Sequence, residues 1–156
     1  MCAKMENPTL RRCVETGLSI LVGSVGSDGV PSCCRGIAMT SDDDLASITV
    51  FVPVATSQSI ISDVSATHRI AVYASHPVDH CSVQFKGTTT NVRLARASEA
   101  PLLRSRLDEF ADILELIGLP RRMTTAMANW PAYAIEVSVA EIFDQTPGPH
   151  AGIAIQ

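Results

Sequence analysis

The segment from Cys81 to Ala95 constrains this chain more than any other. Its apolar residues hold odd positions before Gly87 (Cys81, Val83 and Phe85) and even positions after it (Val92 and Leu94). Alternation marks a strand with one buried face, so a change of parity means that the strand turns that face over. A bulge or sharp bend near Gly87 would do this, and it is the device by which a sheet curls into a barrel.

The rest of the chain supplies strands for such a sheet. Leu18 to Val25 is apolar and β-branched, Gly26-Ser27-Asp28-Gly29 is a turn, and Val30 to Thr40 reads as the return strand of an antiparallel hairpin. The run Ser41-Asp42-Asp43-Asp44 is a second turn, without the ligand alternation and glycine of a calcium loop. Ala46 to Val54 follows with Ala46, Ile48, Val50, Val52 and Val54 on one face. Thr56-Ser57-Gln58-Ser59 can cap a short helix carrying Ile60, Ile61 and Val64, which leads into the strand Arg69 to Ser75. Ser98 is placed to cap a longer helix, with Leu103, Leu107, Phe110, Leu114 and Ile117 on one face and Gly118 and Pro120 as its stop. A short helical segment spans about Arg121 to Asn129, and Tyr133, Ile135, Val137 and Val139 alternate in a last strand. Hairpins, one long bent strand and two or three helices predict a mainly β (α+β) antiparallel barrel with helical insertions.

Length and composition set the frame. At 156 residues the expectation is one domain, residues 1–156, and 46% hydrophobic against 18% charged residues supplies a core. A net charge of −4 offers no generic basic face, so nucleic acid is not an expected partner. No apolar run is long enough to span a bilayer and no secretory signal is visible, which gives no membrane partner and a cytoplasmic location as expectations. The five cysteines, Cys2, Cys13, Cys33, Cys34 and Cys81, are odd in number and lack C-x-x-C spacing, so they read as reduced, mostly buried thiols.

Common catalytic and nucleotide-binding signatures are missing. His76, His80 and Cys81 have metal-binding chemistry but sit on a proline-containing turn, so no metal site is assigned. Arg35 is more informative. In the strand Val30 to Thr40 it shares a face with Cys33, Ile37 and Met39, which puts a cation in an apolar row. It is either a structural arginine, in a salt bridge to a carboxylate or at a barrel mouth, or the ligand of a bound phosphate, for which guanidinium geometry is well suited. Thr56, Ser57 and Ser59 offer hydroxyls and helix-end amides for the same anion, or act as ordinary caps. Ser82, Gln84 and Lys86 alternate on one face of the long strand, either toward solvent or lining a ligand groove. Trp130, the single tryptophan, is a core anchor or an aromatic wall for a flat ligand.

Several segments in order resemble the pyridoxamine 5'-phosphate oxidase-like family of FMN-binding split barrels. They are Gly17-Leu18-Ser19, Asp28-Gly29-Val30-Pro31, Cys34-Arg35-Gly36-Ile37, His68-Arg69-Ile70-Ala71-Val72, Val83-Gln84-Phe85-Lys86-Gly87, and Phe143-Asp144-Gln145-Thr146-Pro147-Gly148-Pro149. The likeness runs from about Glu15 to Gly152. It implies a six-stranded split barrel, a homodimer, and FMN in clefts between the subunits. By position it places Arg35, Gly36 and Ile37 on the flavin and phosphate side, Ser57, Gln58 and Ser59 at the phosphate end, and Ser82 with Gln84 at the ring. Gln58-Ser59 stands where members of the family commonly carry a basic pair, so up to two charge-assisted contacts of roughly 1.5–3 kcal/mol each are absent. The expectation is an FMN-dependent oxidoreductase acting on a small molecule, with no side chain needed as acid or base. The alternative is a non-catalytic barrel that binds haem or another small ligand, or whose flavin site has decayed.

Overall fold

The computed structural model describes residues 10, 14 and 17–155. Cys2 and Cys13, and the expectations attached to them, lie outside these residues. Seven strands form one antiparallel sheet: β1 (Ser19–Val25), β2 (Pro31–Gly36), β3 (Ala38–Ser41), β4 (Ser47–Pro53), β5 (Arg69–Ser75), β6 (Ser82–Leu94) and β7 (Ala132–Asp144). Three α-helices are described: α1 (Gln58–Thr67), α2 (Ala100–Leu116) and α3 (Arg121–Thr125). None is long and apolar enough to cross a membrane.

The strand order is β2-β1-β5-β6-β7-β4-β3, all neighbours antiparallel. The two end strands, β2 and β3, are consecutive in the chain and separated by Ile37 alone. Covalent continuity therefore brings the edges of the sheet together, and the Ile37 amide donates to the Phe51 carbonyl at 2.8 Å as the chain changes partner from β1 to β4. This corrects the expected six strands to seven: the segment read as one strand is two, each pairing with a different neighbour. The split-barrel class stands.

The break at Ile37 also changes parity. Cys34 packs inside the barrel from β2, but from β3 it is Met39 that reaches the interior, while Ala38 packs outside with Phe51. Met39 therefore does not share the face of Arg35, as unbroken alternation predicted.

The expected turnover near Gly87 is divided between two strands. Lys86 pairs with Glu141 and Gly87 with Val139, so the extra residue there is Ala140 on β7. Thr89 pairs with Val137 and Asn91 with Glu136, so β6 adds its own extra residue, Thr90, three positions later. Of the described glycines, Gly87 has the least room for a side chain: a Cβ there would stand 2.0 Å from the Ser138 carbonyl oxygen.

The principal core lies inside the barrel, formed by residues such as Val22, Val50, Val72, Phe85, Ile135 and Ile142, with Ile60 and Val64 of α1 packing into it. Each large apolar side chain buried this way contributes about 1.5–3 kcal/mol. A smaller cluster lies on the outer side, where Leu103 of α2 meets Ala38, Phe51, Ala132 and Ala134. The start of α2 is braced by Arg93, which binds Glu99 at 2.7 Å and Glu136 at 3.2 Å. A 3-10 turn (Ala97–Glu99) precedes α2, with the Glu99 carboxylate accepting from the Arg96 amide, so Ser98 is not the cap that the sequence predicts.

Candidate functional site

Arg35 projects from the outer face of β2, because Cys34 and Gly36 on either side of it point inward and are buried. Gly36 is confined by packing: a Cβ would stand 2.4 Å from Ile20 Cγ2. The half-buried Arg35 guanidinium lies over the ring of Phe110 from α2, with Cζ 4.7 Å from the ring centroid. No carboxylate among the described residues pairs with it. Desolvation by burial lowers its pKa, but a guanidinium remains charged throughout the working range.

This guanidinium forms part of the wall of a cavity of about 400 Å³. Cys33, Gly36 and Ile37 line it from the strand side, Pro53 and Thr56 from the end of β4 and the turn after it, and Leu107, Phe110, Met127 and Ala128 from the helical side. The cavity is mostly apolar, with one cation and the Thr56 hydroxyl among its lining residues. Such a set suits an anionic group attached to a less polar body.

Arg35, Gly36, Ile37 and Thr56 are thus brought together. Ser57 and Gln58 sit at the start of α1 with their polar atoms engaged elsewhere. Ser57 is fully buried, and its hydroxyl donates to the Pro53 carbonyl at 2.7 Å, so it makes no side-chain cap. The Gln58 amide donates to the Val54 carbonyl at 2.9 Å. Ser59 is exposed in the first turn of the helix.

Ser82, Gln84 and Trp130 do not line this cavity. Ser82 is buried rather than part of an open polar row. Its hydroxyl accepts from Tyr73 at 2.9 Å and lies 2.8 Å from Ser75 Oγ and 2.7 Å from the His80 carbonyl. Gln84 Oε1 accepts from Gln145 at 3.4 Å. Trp130 is 46% exposed, on the loop before β7. A larger, more open groove of about 560 Å³ lies further along the same outer face of the sheet, with Arg69, Lys86 and Glu141 at its walls. Lys86 Nζ rests 4.5 Å from the centroid of Phe143.

On the His76 turn, His76 Nδ1 is 3.3 Å from Asp79 Oδ1. No group of three or more His, Cys, Asp or Glu placed to hold a metal occurs among the described residues. The sequence reading missed Phe110, Leu107 and Met127 as cavity residues. The first two carried only the signal of a buried helix face, which does not say onto which strand that face packs.

No family model matches the sequence, and no curated protein matches it. Solved structures do match. An F420 reductase aligns with a TM-score of 0.54 at 12% identity, over 85% of this chain and 94% of its own. HupZ of Group A Streptococcus aligns with 0.50 at 16% identity, over 86% and 90%. General Stress Protein 26 from Bacillus anthracis gives 0.50 at 12% identity, over 89% and 92%. At these identities the likeness is one of fold, and together with the strand order it identifies the chain as an antiparallel split barrel with helical insertions.

Proposed function

We propose that residues 1–156 form a single FMN-binding split-barrel domain of the pyridoxamine 5'-phosphate oxidase-like type, acting as a homodimeric oxidoreductase on a small molecule. The observation that carries this reading is Arg35: a half-buried guanidinium on the wall of a 400 Å³ cavity, with no carboxylate partner among the described residues. A desolvated cation without an anion is held at a cost, and a phosphate monoester removes that cost.

The residues present fit such a group. The Arg35 edge supplies parallel N–H donors, Thr56 a hydroxyl, and Gly36 and Ile37 the backbone beside it. The first amides of α1, next to Ser59, add a partial positive charge. Ser57 and Gln58 serve by pinning the turn between β4 and α1. In the proposed dimer Gln84 and Trp130, which lie outside the Arg35 cavity, reach the flavin ring from the second copy of the chain, and the Ser82 carbonyl accepts from the backbone amide of Gln145, the hydrogen-bond partner of Gln84. FMN supplies hydride chemistry when bound; the chain's own residues hold, orient and exclude water.

The test begins with the visible spectrum of the purified protein, which separates flavin from haem or no chromophore. FMN titration of Arg35→Ala follows, with an expected loss of about 10- to 150-fold in affinity and a retained fold. An unchanged titration removes Arg35 from the site. Sedimentation with and without FMN reads the dimer, and a monomer in both conditions counts against the shared cleft. A second reading, a non-catalytic barrel for haem or another small ligand, draws on Ser57 and Gln58 being spent on backbone carbonyls. A Soret band in place of flavin absorbance would favour it.

A further inference from the structure

Among the described residues, Arg35 makes no ion pair, and its ring contact is with Phe110. Phe110 is 4% exposed, sits on a seventeen-residue helix, and has its ring under the Arg35 guanidinium, with Cζ 4.7 Å from the centroid. A guanidinium that lays its face on such a ring keeps its in-plane N–H donors unspent. Phosphate recognition uses those edge donors. The two contacts are therefore additive in geometry rather than competing. A ring beneath the plane also removes the rotational freedom that a long arginine side chain would otherwise lose on binding.

We infer that Phe110 is a positioning residue, holding the Arg35 guanidinium edge-on to the cavity so that it receives the phosphate of a phosphorylated ligand. This deepens the FMN reading and rests on it for the identity of the ligand, but the arrangement of the two side chains is a separate claim. It also gives α2 a part in the site that its amphipathic pattern does not announce. Leu107 and Met127 line the same cavity and supply the apolar wall around the charge.

The experiment compares Phe110→Leu, which keeps an apolar side chain but loses the ring, with Phe110→Tyr, which keeps the ring. Thermal melting checks that both fold. Two ligands are titrated: FMN, and riboflavin, which lacks the phosphate. The expected result is about a three- to tenfold loss of FMN affinity in Phe110→Leu, none in Phe110→Tyr, and unchanged riboflavin binding in both. An equal loss for riboflavin makes Phe110 a packing residue and overturns the inference.

A readout independent of flavin is the Arg35 Nε–H resonance, followed by NMR while inorganic phosphate is added. In the parent it should be displaced by the ring and respond to phosphate. In Phe110→Leu the ring displacement should vanish and the phosphate midpoint rise by a similar factor. A midpoint that is unchanged or lower in Phe110→Leu, or an Arg35 signal in the parent that ignores phosphate, overturns the positioning role. If FMN fails to bind the parent while the phosphate response follows the expected pattern, the flavin reading falls and the positioning role stands.

Discussion

Replacing Gly87 with alanine tests the close approach of β6 and β7 that curls the sheet. The new Cβ would meet the Ser138 carbonyl oxygen at 2.0 Å, its carbonyl carbon at 2.9 Å and Val137 Cγ1 at 3.1 Å. The first two are backbone atoms of β7 inside the ladder, so no rotamer change relieves the contact and the strands must part by well over 1 Å to reach ordinary van der Waals contact. Overpacking of this kind costs about 1–3 kcal/mol, and each ladder hydrogen bond lost beside it adds about 0.5–1.5 kcal/mol. At the middle of each range, with one or two bonds disrupted, the total is about 3–4 kcal/mol. In a domain of this length that corresponds to a fall in melting temperature of about 6–16 °C. Hydrogen exchange should accelerate first in β6 and β7 around the Ala140 bulge. The control is Gly118→Ala, where φ is +93° and nothing stands within 4 Å of the new Cβ, so only the backbone strain of about 1 kcal/mol is felt. If Gly87→Ala melts no lower than Gly118→Ala, the close approach of the two backbones is wrong, and the bulge does not depend on glycine.

Three further outcomes follow from particular groups. Hydrogen bonding to Arg93 holds the Glu99 carboxyl down to about 2 from an ordinary 4.5, and a depressed folded pKa stabilises above the unfolded value and is lost as pH falls from about 4.5 to about 2. Glu99→Gln should therefore cost about 1–2 kcal/mol in denaturant melts at neutral pH, after allowance for partial exposure, and a gap that persists undiminished at the acid end would contradict the pairing. Burial raises the Cys34 thiol to about 11, whereas Cys33 is exposed. Iodoacetamide at about pH 8 should therefore label Cys33 in the native protein and reach Cys34 only on unfolding, and equal rates by mass mapping would mean that Cys34 does not face inward. Ser59→Lys returns a charge to the start of α1 and should tighten FMN binding about three- to tenfold at low salt, with the gain fading as salt rises; no gain would show that this turn does not face the phosphate.

The local pattern of this chain already specifies most of its strands and helices. Alternation at Ile48, Val50 and Val52, or at Ile70, Val72 and Ala74, names the buried face because successive side chains of a strand point to opposite sides. The parity change around Gly87 is equally local, and it signals a curled sheet before any partner strand is known. Arg35 stood out for the same reason, as a cation in an apolar row. What periodicity does not carry is the identity of the neighbour. Nothing near Ile37 states that the chain leaves β1 for β4 there, because that exchange is forced only when the far end of the sheet comes round to meet it. Ser82 reads as one of an alternating polar row, yet it is buried because Tyr73, Ser75 and the turn carbonyl of His80 close around it. Phe110 and Arg35 are seventy-five positions apart, each legible only as part of its own element. Their contact exists because α2 packs on the outside of the barrel against β3 and its neighbours, beside the β2–β3 junction, a placement decided by the packing of the whole sheet rather than by either segment.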